Sequence, residues 1–298
     1  RNRLTGAYRT PHEIAREAVA NELETVLFIR SRRASRSSTD TPSPVDVISG
    51  AEFTRNAASD VQALLRTAVP AYNVNAQPIR DAATISRPAN LRGLSPDNTL
   101  VLVNGKRRHT SALIHVNTSV GRGTSGTDLN AIPAASIKRI EVLRDGAAAQ
   151  YGSDAIAGVI NIVLNDDAEA GNFSISRGEY NFGDGETTNI DLSKGFALGD
   201  NGYINTTLNY RDRGSSNRAG LSGQCQYLAG CDNNADGAGG ADPDGIDEAV
   251  DPREATFNRK NFRIGDAESE QFALSLNAGL ALGAGDLYSF VTYSERES

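Results

Sequence analysis

The sequence predicts two structural parts: an α+β domain with a small mixed sheet and short helices, and then antiparallel strands of an incomplete transmembrane β-barrel. Two short apolar runs bounded by turn signals, residues 100–103 and 159–164, predict buried strands in the first part. From residue 168 onward, apolar and polar residues alternate along segments of about 10 residues, which is typical of strands that cross a membrane. The boundary is expected between residues 166 and 167.

Composition limits the classes of function to consider. The chain has 298 residues, of which 39% are hydrophobic, and its net charge is −7. An acidic balance argues against a nucleic-acid partner, because nucleic acids are bound through basic surfaces. No apolar run reaches the length of about 18 residues that a transmembrane helix needs. Because the chain contains no methionine, we expect a processed or truncated segment.

The first 44 residues precede the predicted domain and divide into a leader and a tethered strand. Residues 1–22 contain one amphipathic helical pattern. Residues 24–29 form a short run with β propensity, and residues 31–44 form a linker rich in Ser, Arg, Thr and Pro. A strand in front of a flexible tether suits β-augmentation, in which the strand is added to the edge of a partner's sheet.

The predicted domain begins at residue 45 and contains a helix before its first buried strand. Ser59 is expected to cap the helix N-terminus, and Gln62 would complete a capping box. Four apolar residues then fall on one helical face, and Pro70 ends the element. The residues of this face are Val61, Leu64, Leu65 and Ala68.

A hairpin follows the first buried strand. Asn104 and Gly105 directly follow residues 100–103, and Asn-Gly between two strands is the strongest short hairpin signal. The basic residues 106–108 are therefore expected to begin the return strand.

Residues 137–164 are the most informative stretch of the chain. They begin with a strand that carries Ile140 and Val142 on its core face and Arg139 and Glu141 on the other. An Arg-Asp-Gly turn signal, an alanine-rich helical turn stopped by a glycine, and a second apolar run follow in this order. This succession of elements is the most specific pattern in the sequence.

Residues 167–298 are predicted to hold five strands. The apolar residues that mark the alternation are Phe173, Ile175, Ile190, Leu192, Ile204, Leu208, Phe272, Leu274, Leu276, Tyr288 and Phe290. Tight turns at residues 199–202 and 283–286 contrast with the long segment 213–266, which is expected to be an extracellular loop. A barrel large enough to hold a domain needs about 22 strands, so we expect the chain to be an N-terminal portion of the functional unit.

Three sequence blocks resemble the plug domain of TonB-dependent outer-membrane receptors. They are residues 91–108, 128–133 and, most specifically, 137–164. The blocks lie in the family's order and roughly at its spacing, and the resemblance is specific over residues 40–166. It implies that residues 45–166 form the plug and that the following strands begin a barrel in the outer membrane of a Gram-negative bacterium.

The resemblance implies binding and active import rather than catalysis. Receptors of this family take up scarce substrates, such as siderophore-bound iron, cobalamin or oligosaccharides, with energy supplied through TonB and its inner-membrane complex. Lipid would surround the barrel, the plug would face the periplasm, and no cofactor is implied. The alternative is a signal-transducing receptor on the same scaffold. Residues 4–8 resemble the end of the signalling domain that some members carry, so residues 1–22 are either its remnant or an arbitrary leader.

The tethered strand lies where the family carries its Ton box, the segment that TonB grips. Within residues 23–44, the implied TonB-binding residues are Glu24, Thr25, Val26, Leu27, Phe28 and Ile29. The family's usual Thr-Gly ending is replaced here by Ile29 and Arg30. An ordinary first strand is therefore the alternative interpretation.

Arg92 and Arg144 match positions at which the family pairs plug arginines with barrel glutamates. A guanidinium group holds a carboxylate in bidentate geometry, which would lock the plug to the barrel wall. The alternative is that both are ordinary surface residues. Period 2 places Arg144 on the core side of its strand, whereas Glu141 and Asp145 point to the opposite face. We therefore expect its partner to be a barrel carboxylate.

Two polar loops resemble the apical loops that contact substrate in this family. They lie around residues 73–81 and 109–127. The candidate substrate-binding residues are Asn73, Arg80, Asp81 and His115. Structural or solvated roles for the same side chains are the alternative.

The predicted extracellular loop contains both cysteines and an acidic motif. Cys225 and Cys231 are expected to form a disulfide, because the periplasm is oxidising and too few further ligands for a zinc site lie nearby. Asp232, Asn234 and Asp236 have the spacing of the first half of a calcium loop. The twelfth position is a proline instead of a glutamate, which excludes an EF-hand. The loop either binds Ca²⁺ or is a solvated acidic segment.

One motif would indicate a nucleotide-binding enzyme if its context fitted. Residues 121–126 match GxGxxG, which in a dinucleotide site follows a strand and opens a helix. Here polar residues interrupt the preceding apolar run, and Pro133 lies within the helix that the motif would open. A flexible loop is therefore favoured. No catalytic triad, paired carboxylate or catalytic metal-ligand spacing rises above chance, and no enzymatic activity is expected.

Overall fold

The computed structural model describes the chain in several stretches. These are residues 26–27, 36–37, 45–50, 52, 60–74, 86–116, 121–218, 265–283 and 285–298.

The described elements form a mixed first part and a second part of long strands. The strands are β1 (Val26–Leu27), β2 (Arg36–Ser37), β3 (Val45–Ser49), β4 (Tyr72–Asn73), β5 (Asn90–Leu91), β6 (Thr99–Val103), β7 (Lys106–Arg107), β8 (Ile137–Leu143), β9 (Gly158–Leu164), β10 (Gly171–Gly178), β11 (Thr187–Ala197), β12 (Gly202–Arg213), β13 (Ser269–Leu282) and β14 (Gly285–Glu297). The helices are α1 (Val61–Ala68) and α2 (Ala148–Tyr151), and 3-10 turns occupy Pro96–Asn98, Leu129–Ala131, Ala134–Ser136 and Ser153–Ala155.

The first part is built on a five-stranded mixed sheet. Its strand order is β3-β8-β9-β6-β7, in which β6 and β9 are parallel and the other neighbours antiparallel. Two short ladders, β1-β2 and β4-β5, lie outside this sheet. The predicted hairpin is confirmed, because Asn104 and Gly105 join β6 to β7 with positive φ angles of 48° and 75°.

Helix α1 covers one face of this sheet. Val61, Leu64 and Leu65 are buried there in one core with apolar side chains of β8 and β9, including Ile140. The predicted apolar helical face is therefore confirmed at these positions. Ala68 is exposed, and the C-cap residue Val69, where the chain leaves the helix, is buried in the core instead.

The N-cap of α1 differs from the prediction, since it is Asp60 and not Ser59. The Asp60 carboxylate accepts a hydrogen bond from the Ala63 N–H at 2.7 Å. Gln62 does not complete a capping box. It is buried, and its side-chain amide donates to the Arg87 carbonyl. Serine and aspartate are equally good N-cap residues, so the sequence alone does not distinguish Ser59 from Asp60. The ion pairs that Asp60 forms with Arg87 and Arg211 favour the aspartate.

Helix α2 and the turn after it cover the other face of the sheet. An apolar cluster that includes Leu143 and Val159 packs there. The sequence places Glu141 on an outer charged face, but Glu141 is fully buried. Its carboxylate accepts hydrogen bonds from Arg139 Nε at 2.9 Å and from Asn161 Nδ2 at 3.0 Å. The buried charge is therefore compensated locally.

The second part is one antiparallel sheet in the order β10-β11-β12-β13-β14, as the alternation predicts. Its neighbours pair along their lengths, so that Leu208 of β12 lies between Leu192 of β11 and Leu274 of β13. The sheet is open, because β10 and β14 each have one neighbouring strand among the described residues. The fold is thus an α+β domain followed by barrel-type strands that do not close.

Candidate functional site

The five long strands carry an apolar surface on one side. Phe173 of β10 stands opposite Leu192 of β11, and Leu274 of β13 stands opposite Tyr293 of β14. All four side chains are more than a third exposed, although they are large and apolar. Soluble monomers rarely expose a continuous apolar patch of this kind, so this side is a contact surface for an apolar environment.

The other side of these strands is polar and packs against the sheet domain. Asn277 Nδ2 of β13 donates to the Asn165 carbonyl at 2.8 Å, and Gln271 Nε2 donates to the Asn130 carbonyl at 2.7 Å. Phe290 of β14 adds an apolar contact with the core of the domain. The alternation along each strand therefore separates an apolar outer environment from a mostly polar inner one.

A cavity of about 630 Å³ lies between the domain and strands β10 to β13. On the strand side, its wall includes the polar residues Asn189, Asp191, Ser193 and Asn209. Asn209 Nδ2 donates to Asn189 Oδ1 at 2.9 Å and to Asp191 Oδ1 at 2.8 Å. The cavity separates the domain from the wall over this area, so the two parts meet at discrete points.

Asp60 joins the two parts at one of these points. Its carboxylate lies 2.8 Å from Arg87 Nη2 and 3.3 Å from Arg211 Nη1 of β12, and all three side chains are largely buried. Burial alone would raise the pKa of Asp60, but the Arg87 and Arg211 guanidinium groups and the Ala63 N–H hold it below its ordinary value. Asp60 is therefore ionised and forms a charged link between the domain and the strands.

Asp128 and Arg296 form a second charged link. Arg296 Nη1 of β14 lies 3.3 Å from the Asp128 carboxylate, which also accepts the Asn130 N–H at 3.0 Å. Burial raises the pKa of Asp128, and Arg296 partly offsets this effect. Arg296 Nε also donates to Gln271 Oε1 at 3.3 Å. The link is thus part of a hydrogen-bond network that includes two strands.

The polarity of both links is opposite to that of the predicted lock. The sequence predicts arginines of the domain held by carboxylates of the barrel. In the structure, Asp60 and Asp128 of the domain contact Arg211 and Arg296 of the strands. Period 2 places Arg211 on the inward side of β12, which is the signal that could have identified it. Arg296 shares its side of β14 with Phe290, which marks the apolar alternation in the sequence but packs against the core of the domain, so the inward position of Arg296 was not predictable. The partners of both arginines come from distant loops and have no local signal.

Arg92 and Arg144, the predicted lock residues, occupy different environments. Arg92 is exposed in the left-handed region with a φ of 59°, and it has no ion pair within the described stretches. Arg144 Nε lies 2.8 Å from Asp46 Oδ2 of β3, and both side chains are about a third exposed. The expectation that Arg144 has no carboxylate in its own domain is therefore wrong, because the neighbouring strand supplies one. A lock to barrel carboxylates stays a prediction.

Two of the four candidate substrate-binding residues are described. Asn73 is exposed at the end of β4, and its amide is 3.5 Å from the Ala71 carbonyl. His115 is 3% exposed, and neither ring nitrogen has a hydrogen-bond partner among the residues that the structure describes. Burial lowers the pKa of His115, with a nearby Asp128 opposing the shift. Arg80 and Asp81 lie outside the described residues.

The glycine-rich motif at residues 121–126 lies in a loop. The next helical element is the three-residue turn Leu129–Ala131, so the motif does not open a helix of useful length. Gly126 has a φ of 52°, and a Cβ at this position would lie 2.5 Å from Pro88 Cβ. Glycine is therefore required at position 126 by the turn and by close packing. The motif does not lead into a helix as a dinucleotide-binding motif does.

Several other predicted residues lie outside the described stretches. They are Glu24, Thr25, Phe28, Ile29, Cys225, Cys231, Asp232, Asn234 and Asp236. Val26–Leu27 forms β1 and pairs with Arg36–Ser37 of β2. In the described part of the chain, no cluster of His, Cys, Asp and Glu side chains could hold a metal ion. No helix in that part has the length and apolar character to cross a membrane.

Comparison with known proteins agrees with this arrangement. Residues 37–159 match the family model of the TonB-dependent receptor plug domain. The ferric enterobactin receptor of Pseudomonas aeruginosa is 32% identical over 163 residues, which are 54% of this chain and 21% of that protein. The vitamin B12 transporter BtuB of Vibrio cholerae is 28% identical over 201 residues, which are 67% of this chain and 30% of that protein.

A solved structure has the same fold. The crystal structure of the ferric enterobactin receptor PfeA in complex with BCV-L6 has a TM-score of 0.60 at 22% sequence identity, covering 86% of this chain and 33% of that one. The chain therefore contains a TonB-dependent receptor plug domain, which is docked on the polar face of barrel-type strands. It spans between 21% and 33% of the length of these relatives.

Proposed function

We propose that this chain forms the plug and the first wall strands of an outer-membrane receptor that imports a scarce substrate. The observation that carries the proposal is the two-faced sheet β10–β14, which is apolar outward and polar toward the plug. A barrel wall with lipid outside and a plug inside requires these two faces. The open edges of β10 and β14 would pair with further strands. We call this chain within such a closed barrel the complete receptor.

The substrate class is inferred from the relatives. Two of them are named as a ferric enterobactin receptor and a vitamin B12 transporter. We therefore infer a siderophore-iron or cobalamin substrate, with an oligosaccharide as the third class of the family. On the plug, Asn73, Arg80, Asp81 and His115 are the proposed contacts. The lowered pKa of His115 keeps its ring neutral at pH 7, so the ring would act as a hydrogen-bonding group rather than as a charge.

Energy for import would be supplied through TonB. The plug and residues 24–29 would face the periplasm of a Gram-negative bacterium, where TonB would add residues 24–29 to its sheet as an extra strand. The ladder between β1 and β2 has two residue pairs, so few hydrogen bonds oppose this exchange. For the extracellular loop, the disulfide Cys225–Cys231 and a Ca²⁺ ion near Asp232 are further proposals.

A deletion tests the import function. Removing residues 24–29 from the complete receptor should abolish energised uptake and leave substrate binding unchanged, because only the TonB-binding strand is lost. Deleting residues 38–43, a linker segment of equal length, is the control and should retain uptake. Cells would be given radiolabelled ferric enterobactin or cobalamin, and bound and internalised label would be counted separately.

Two results would contradict the proposal in different ways. Full uptake by the variant without residues 24–29 would overturn the assignment of this segment to TonB. A complete receptor that neither binds nor imports any substrate of the three classes would overturn the import function itself.

A further inference from the structure

The cavity between the plug and strands β10 to β13, which we call the plug–wall cavity, extends along the wall. Its lining reaches from Gly171 at the start of β10 to Arg211 of β12. Gly171 lies opposite Lys194 of β11, and Arg211 lies opposite Asn189 of the same strand. Lys194 and Asn189 are five residues apart, which corresponds to about 17 Å. Because β11 has 11 residues, the cavity runs along about half of the strand.

The two ends of the cavity lie at different depths of the wall. Strand β11 ends at Ala197 and β12 begins at Gly202, so a short turn joins them near the end at Gly171. Short turns are typical of the periplasmic side of outer-membrane barrels. In the complete receptor, the end at Gly171 is therefore the periplasmic end, and the end at Arg211 points toward the cell exterior.

Polar side chains on the wall side of the cavity bind one another. Asn209 Nδ2 donates to Asn189 Oδ1 at 2.9 Å and to Asp191 Oδ1 at 2.8 Å. Asn189 Nδ2 also donates to Asp191 Oδ2 at 2.5 Å. These hydrogen bonds lie within the wall, so they do not depend on the position of the plug.

Strands β13 and β14, in contrast, carry inward side chains that bind the plug. Asn277 Nδ2 donates to the Asn165 carbonyl at 2.8 Å, and Arg108 Nη1 of the plug donates to Thr292 Oγ1 at 2.8 Å. Phe290 packs against the core of the plug. The plug is thus fastened to β13 and β14, and a movement that widens the gap beside β10 to β12 need not break these contacts.

The ion pair of Asp60 with Arg211 crosses the outer end of the cavity. Both residues line the cavity, and Arg211 Nη1 lies 3.3 Å from the Asp60 carboxylate. Asp60 has a second cationic partner, because Arg87 Nη2 of the plug lies 2.8 Å from the same carboxylate. When the plug moves away from β12, the buried carboxylate therefore keeps a counter-charge, which lowers the cost of opening this contact.

We propose that the plug–wall cavity is the path by which the imported substrate passes the plug, and that the Asp60–Arg211 pair closes its outer end. This inference rests on the import function. The volume of about 630 Å³ lies within the range of about 300–1,000 Å³ that is typical of small-molecule sites. Much of the path therefore exists before the plug moves, and its amide, hydroxyl and carboxylate groups suit a polar substrate.

Ion conductance tests the closed end without any import. The purified complete receptor would be placed in planar lipid bilayers. Arg211→Gln should raise the conductance several-fold over wild type, because it removes the wall cation that holds Asp60 across the opening. Arg296→Gln is the matched control. It breaks the other charged link, which Arg296 of β14 forms with Asp128 outside the cavity lining, so the conductance should stay near that of wild type.

A bulky group inside the cavity tests the path itself. Ser193 of β11 lines the cavity and would be replaced by cysteine in a receptor that also carries Cys225→Ser and Cys231→Ser. Labelling of cells with fluorescein maleimide should reduce energised uptake of radiolabelled ferric enterobactin or cobalamin several-fold and leave binding unchanged. Asp200→Cys, in the exposed turn between β11 and β12, is the control and should retain uptake after labelling.

Four results would overturn the proposal. The first is full uptake by the receptor labelled at Ser193→Cys. The second is a failure of the maleimide to label this cysteine, since the cavity would then be closed to solvent. The third is a conductance that rises equally in Arg211→Gln and Arg296→Gln, or in neither. The fourth is a structure of the complete receptor in which another segment fills the cavity.

Failure of the import function would be recognised separately. A wild-type receptor that neither binds nor imports the labelled substrates would contradict that function. The conductance of Arg211→Gln relative to Arg296→Gln would still decide whether the Asp60–Arg211 pair closes the cavity, because ions need neither a substrate nor TonB to pass.

Discussion

Asp60 combines three contacts in one side chain. Its carboxylate caps α1 through the Ala63 N–H and pairs with both Arg87 and Arg211. A carboxylate has about four acceptor sites on two oxygens, so these contacts do not compete. The helix start, a plug loop and the barrel wall are therefore held in one geometry by a single buried charge.

Replacing Asp60 by asparagine should weaken the plug–barrel contact by about 3 kcal/mol, because two buried guanidinium groups lose their carboxylate while asparagine still caps the helix. Asp46→Asn is the matched control. It removes the partner of Arg144, but that pair is about a third exposed, so a cost below about 1 kcal/mol is expected. Chemical unfolding of the complete receptor, followed by a fluorophore on the plug, would measure both.

The pH dependence of Asp60→Asn provides an internal check. The folded pKa of Asp60 is depressed, so its stabilisation is present above the unfolded pKa of about 3.9 and is lost as the pH falls through the folded pKa. The difference between wild type and variant should be constant above about pH 5 and shrink below about pH 4. A variant no weaker than Asp46→Asn, or a difference that grows in acid, would contradict the role of Asp60.

The ion pair of Arg144 shows which part of a contact the sequence can predict. Period 2 places Arg144 on the same side of β8 as Val142, and its partner Asp46 is the residue opposite Val142 on β3. The face was therefore predictable, but the partner was not. The pairing of β3 with β8 depends on sheet order, which no local pattern encodes.

At the scale of elements, the predictions succeed where one local pattern determines the structure. The Asn104-Gly105 hairpin, the buried strand before it and the alternating strands β10–β14 are all of this kind. The environment of Glu141 is different. It is buried because α2, an element of four residues, folds back over that face of the sheet, and such long-range packing leaves no periodic signal.

The glycine-rich loop allows a test at this scale. Gly126→Ala should destabilise the plug by about 2–5 kcal/mol, since it combines a left-handed backbone with overpacking. Gly126 has a φ of 52°, and its added Cβ would lie 2.5 Å from Pro88 Cβ and 2.8 Å from Pro96 Cβ. Thermal unfolding of the complete receptor would report the loss.

Gly123→Ala is the control for this substitution. Gly123 has a φ of 82°, but a Cβ there would meet no atom within 4 Å. It should cost only the left-handed penalty of about 1–2 kcal/mol. Equal losses for the two variants would mean that contact with Pro88 and Pro96 is not what requires a glycine at position 126.

At the scale of the whole molecule, the docking of the plug on the wall was not predictable. It depends on contacts such as Asn277 with Asn165 and Gln271 with Asn130, which join residues far apart in the chain. The sequence identifies the inward side of strands β10 to β13 but not which plug loop meets it.

The two faces of strands β10 to β13, in contrast, follow directly from period 2. The last strand differs, because its predicted apolar markers Tyr288 and Phe290 face the plug. Val291 and Tyr293 lie on its outer side instead.

The outer face leads to a prediction about the membrane. Leu276 lies near the middle of β13, opposite Val291 of β14, and points outward; Leu282 is the last residue of the same strand. If lipid covers this face, Leu276→Arg should destabilise the folded barrel by about 2–4 kcal/mol, because it places a charge near the bilayer midplane. Leu282→Arg, near the interface, should cost at most about 1 kcal/mol. Urea titration of the complete receptor in lipid vesicles would measure both. Equal costs for the two variants would show that this face does not lie across a bilayer, since only a bilayer makes the penalty depend on depth along the strand.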